Sequence, residues 1–74
     1  LSNPKWMLRG KIISMYGSVN AFAEHLGKSR QIVSNKLAGR TEMSQNDIIE
    51  WAEALGMEAD SVMEYFFPQL VSKS

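Results

Sequence analysis

Apolar residues recur along this chain at intervals of three and four, in five blocks set apart by glycine, serine and proline. That interval is the helical one, and no block alternates at the period of two that a strand requires. The first block is expected to open at Asn3-Pro4, a capping residue followed by proline at the first helical position, and to run to about Tyr16 before Gly17 stops it. Leu8, Ile12 and Met15, with Ile13 and Tyr16 beside them, form its stripe. Ser18 caps a second helix, Val19 to Leu26, in which Val19, Phe22, Ala23 and Leu26 share one face, and Gly27 closes it. Ser29 caps a third, Arg30 to Ala38, with Val33 and Leu37 directed inward and Gly39 at its end. After a loop from Arg40 to Met43, Ser44 caps a fourth helix with Asp47 at its third position, a variant of the capping box. Ile48, Trp51, Ala52 and Leu55 make its buried side, and Gly56 ends it. A short fifth helix, about Ala59 to Phe66, places Val62, Tyr65 and Phe66 together before Pro68, and residues 69–74 are expected to form a loose tail. The prediction is an all-α fold, one five-helix domain with its core between about residues 5 and 67 and with Phe22 and Trp51 as anchors.

The stretch SVNAFAEHLGKSRQIVSNKLAG, Ser18 to Gly39, has a further regularity. Ala23 stands four residues before Gly27, and Val33 six after it. Two short helices that cross closely at a turn need a small residue where they touch, a glycine in the turn, and a branched apolar residue packing back from the second helix. That is the spacing of a DNA-binding helix-turn-helix.

Charge sharpens this reading. The formal net charge is zero, but residues 1–41 carry seven basic side chains against Glu24 alone, and residues 42–74 carry seven acids against Lys73 alone. The basic half contains the paired helices, as a phosphate-docking face requires. There is no cysteine and one histidine, so disulfides, thiolate metal sites and zinc ligand sets are excluded. No cofactor, metal or small-molecule ligand is expected, and no grouping of serine, histidine and carboxylate suggests an enzyme. His25 reads as a surface residue near a helix C-terminus. The apolar runs are too short to cross a bilayer and no signal peptide is visible, so the expected location is cytoplasmic.

With Val33 and Leu37 inward, a rotation of about 100° per residue turns Gln31, Ser34, Asn35 and Ala38 outward, with Ser29 and Arg30 at the leading end of the third helix. Arginine suits guanine, glutamine or asparagine suits adenine, and an alanine methyl suits thymine. The base-reading set is therefore Ser29, Arg30, Gln31, Ser34 and Asn35. Ser18 and Asn20, at the start of the second helix, and Lys28, Lys36 and Arg40, flanking the third, form the phosphate-contacting set. Lys5, Arg9 and Lys11 either extend the positive surface or only solvate the first helix. Ile32 is expected to fill a gap beside the second or fourth helix, with contact to a thymine methyl as the lesser alternative.

These residues resemble the phage lambda repressor and Cro superfamily, a compact five-helix lambda-repressor-like fold, over about Lys5 to Phe67. More narrowly, RGKIISMYGSVNAFAEHLG, VSNKLAGR, SQNDIIEWAEALGM and EYFFP look like a family of short phage and prophage proteins of uncharacterised function. The resemblance implies that Ser29, Arg30, Gln31, Ser34 and Asn35 touch double-stranded DNA, and that a homodimer binds a palindromic operator. Val19 occupies a position where the superfamily often has a phosphate-binding glutamine, which leaves that contact to Ser18 or Asn20. Lys36 occupies a usual apolar position, with Leu37 expected to take over its packing and the lysine stem lying along the surface.

The leading expectation is a sequence-specific transcription regulator of phage or prophage origin. The competing one is a protein-interaction module of the same fold, which binds another phage or host protein. The net charge of zero and the apolar end from Met63 to Leu70 favour the latter. In either case Phe66, Phe67 and Leu70 are too many apolar groups for so small a monomer to bury, and are expected to form a dimer interface.

Overall fold

Serine hydroxyls start three of the helices. Ser18 Oγ accepts the Ala21 backbone N–H at 3.0 Å, Ser29 Oγ accepts that of Ile32 at 3.2 Å, and Ser44 Oγ accepts that of Asp47 at 3.1 Å. Each bond satisfies a donor that the first helical turn leaves free. The Asp47 carboxylate reaches back to the Ser44 N–H at 2.9 Å and completes a reciprocal capping box. The computed structural model describes residues 5–67, and within them the chain forms five helices and no strand: α1 (Trp6–Tyr16), α2 (Val19–Leu26), α3 (Arg30–Ala38), α4 (Gln45–Ala54) and α5 (Ala59–Phe66). Among these residues no helix is long and apolar enough to cross a membrane.

The core joins all five helices through Leu8, Ile12, Phe22, Val33, Leu37, Trp51, Leu55 and Phe66. Its centre is aromatic. Phe22 meets Trp51 edge to face at 5.2 Å between ring centroids, and Phe66 also packs on Trp51, at 6.3 Å. Tyr16 packs its ring on Phe22 at 5.1 Å and donates its hydroxyl to the Ala54 carbonyl at 2.7 Å, which ties α1 to the end of α4.

Two expectations for α1 are corrected. The helix starts at Trp6, because Lys5, at φ −96° and ψ 42°, is not helical; Asn3 and Pro4 lie outside the described residues. Its buried stripe is Leu8 and Ile12 with partly buried Tyr16, whereas Met15 and Ile13 are exposed. The i, i+4, i+8 row faces α2 and α3, and Met15 stands one residue out of that row. Trp6 also lies on the open side, 68% exposed.

Candidate nucleic-acid interface

The α2–α3 pair is held by its turn. Gly27 adopts φ 73° and ψ 27°, a left-handed conformation that costs an L side chain about 1–2 kcal/mol. A Cβ there would meet nothing within 4 Å, so the demand for glycine is conformational. The Lys28 N–H then donates back to the Ala23 carbonyl at 2.9 Å, closing the end of α2. Ala23 and Val33, each 1% exposed, lie buried between the helices. This local geometry fixes how α3 is presented.

The outer face of α3 carries a hydrogen-bonded row. Asn35 Oδ1 accepts from Gln31 Nε2 at 3.2 Å and from Arg40 Nη1 at 3.1 Å. The Asn35 main-chain carbonyl also accepts the Arg40 N–H at 2.9 Å, so Arg40 is anchored twice to one residue. Arg30 and Gln31 are exposed, Ser34 and Asn35 are half-buried, and Ala38 is exposed. Ser29 contributes its hydroxyl oxygen to the cap of α3 and keeps its O–H for another acceptor. Ser18 is in the same position on α2, next to exposed Asn20. The side-chain hydrogen bonds join Gln31, Asn35 and Arg40, and α3 itself carries no carboxylate.

The two flanking lysines differ. Lys28 is exposed, with Glu50 at a loose 3.9 Å. Lys36, expected on the phosphate-contacting surface, instead turns to α4 and bonds Asp47 Oδ2 at 2.8 Å, the two side chains being 15% and 14% exposed. The Lys36 ammonium, with help from the Ser44 N–H and hydroxyl, holds the Asp47 carboxyl below its ordinary value of 3.8, against the opposing effect of burial. Engaged in this way, Lys36 does not belong with the exposed cations. Its stem does not merely lie along the surface, because the charged end is the packed part.

Three further expectations meet the structure here. Phe66 is 1% exposed and is part of the core, so it is not available as an interface residue. Its ring packs beside Trp51. Phe67 is half-buried and lines a cleft of about 310 Å³ with Lys5, Glu42, Met43, Ile48 and Phe66; Leu70 lies outside the described residues. Ile32 fills no gap and is 46% exposed. Its offset of about 100° from Val33 was the available signal. His25 is exposed, its ring 5.1 Å from that of Tyr16. Among the described residues, no three of His, Cys, Asp and Glu come together as metal ligands would.

A family model described as "Protein of unknown function (DUF739)" matches residues 5–69. No curated protein and no solved structure matches the chain. The chain belongs to the DUF739 family.

Proposed function

We propose that this DUF739 protein is a DNA-binding transcription regulator of phage or prophage origin, a lambda repressor/Cro-like helix-turn-helix that lays α3 in the major groove and acts as a homodimer on a palindromic operator. The observation that carries this reading is the outer face of α3. Gln31, Asn35 and Arg40 form a bonded row there, exposed Arg30 opens the helix, α3 carries no acid, and two of the groups are held by the Asn35 carboxamide. A merely solvated helix face has no need of such a row, whereas base edges are read by these side chains. Ser29 and Ser34 border the row. Ser18, Asn20, Lys28 and Arg40 are the phosphate-contacting groups, and Lys36 is left out of that set because its ammonium is taken by Asp47. In a two-fold dimer the recognition helices would lie about 34 Å apart, one turn of the duplex.

The test is fluorescence anisotropy of a labelled duplex titrated with protein over a range of salt. Affinity should fall steeply with salt, by a log–log slope of about 0.9 for each phosphate neutralised. Arg30→Glu should abolish binding. Absence of binding at low salt refutes the proposal. A second reading, a module that docks on another phage or host protein, is favoured by one observation: α1 exposes Trp6 and Ile13 in solvent, and such apolar groups suit a protein partner. Arg30→Glu would leave a partner bound through α1 unaffected.

A further inference from the structure

Ile32 is the one large apolar side chain that α3 leaves exposed. Solitary apolar residues on a surface are ordinary; the position of this one is not. Its backbone N–H is fixed by the Ser29 hydroxyl, so it stands in the first turn of α3. At about 100° per residue it lies about 100° from buried Val33 and about 60° from Asn35, and so borders the outward face. Gln31 precedes it in the chain and Asn35 neighbours it one turn on.

The amide row defines what those neighbours can read. Asn35 Oδ1 is occupied by Gln31 and Arg40, which leaves the Asn35 side chain chiefly its N–H donors to present outward. Gln31 spends one N–H on Asn35 and keeps its carbonyl oxygen and a second N–H. That remaining pair matches the N6 and N7 of adenine. An isoleucine beside it has no polar group to offer, and the apolar group that a base pair displays in the major groove is the thymine methyl. Resting on the DNA-binding reading above, we infer that Ile32 contacts the 5-methyl group of a thymine adjacent to the base read by Gln31, and so determines operator sequence.

The experiment uses the full chain. A preferred duplex is selected from a randomised pool, and each thymine of the half-site is then replaced in turn by deoxyuridine, which removes the methyl group alone. At one position per half-site the wild-type protein should lose about fourfold in affinity, the worth of one buried methyl. Ile32→Ala should bind the thymine and deoxyuridine duplexes equally at that position, with its salt dependence and helical circular dichroism unchanged. Ile32→Val should keep part of the preference. Equal binding of every deoxyuridine duplex by the wild type, a methyl preference that survives in Ile32→Ala, or a selected half-site without thymine overturns the role of Ile32 and leaves DNA binding in place. If no duplex is bound at low salt, the DNA-binding reading fails together with it.

Discussion

Asp47 serves two partners, and the structure sets what its removal should cost. One of its oxygens accepts from both the Ser44 N–H and the Lys36 ammonium, and the lysine has little water around it. Replacing Asp47 by alanine removes one half of the capping box, worth about 1 kcal/mol. It also strands a mostly buried ammonium, worth about 1.5–3 kcal/mol as a lost hydrogen bond between charged groups. The expected total is about 3 kcal/mol. Lys36→Met should cost only about 1 kcal/mol, because its stem still packs and Asp47 still caps α4. The double variant should lose little beyond the cap, about 1 kcal/mol, so the coupling energy is about 3 kcal/mol. In a domain of this size each kcal/mol moves the melting temperature by about 4–8 °C, so Asp47→Ala should melt more than 10 °C below the wild type. Urea unfolding of the four proteins measures the cycle. Should Asp47→Ala cost the same with or without Lys36, the ion pair contributes nothing and the argument from burial fails. Lys36→Met tests the functional side as well, and should leave duplex affinity and its salt slope unchanged.

The folded-state carboxyl of Asp47 titrates below its unfolded value, so the stability it supplies is full above the unfolded value of 3.8 and is lost as pH falls through the lower, folded one. Asp47→Asn should flatten that acid limb, as melting curves recorded from neutral pH downward would reveal. Phe22→Ala removes a fully buried ring that touches both Tyr16 and Trp51, and should cost about 3–5 kcal/mol, enough to leave the chain largely unfolded by circular dichroism. Gly27→Ala should cost about 1 kcal/mol by urea unfolding through its positive φ alone, since its Cβ meets open space; a neutral result would mean that the turn relaxes.

The limits of α2 and α3 are legible in the sequence because local chemistry decides them. A serine accepts the N–H of the third helical residue in α2 and α3, and Gly27 and Gly39 turn the chain left-handed after them. The face of α1 is less legible. WMLRGKIISMY has apolar residues on every side, so spacing alone cannot separate Met15 from Tyr16; the Ala54 carbonyl that receives the Tyr16 hydroxyl is 38 residues away. Lys36 shows the same difficulty for the candidate site. Read along α3 it is one more cation beside the outer face, and only the arrival of α4 brings Asp47 to it. The residues of the outer face follow from rotation about Val33 and Leu37. The bond between Gln31 and Asn35 follows from their i, i+4 spacing, but that of Arg40 depends on how the chain leaves α3.

The two tryptophans sit in opposite surroundings, Trp51 at 2% exposure and Trp6 at 68%. Their emission should therefore separate by colour, the buried indole to the blue and the hydrated one to the red. Quenching by a dissolved ion such as iodide would reach Trp6 and spare Trp51. The chain thus carries one optical probe of its aromatic centre and another of the open side of α1, and the emission of each can be followed while the protein meets whatever binds it.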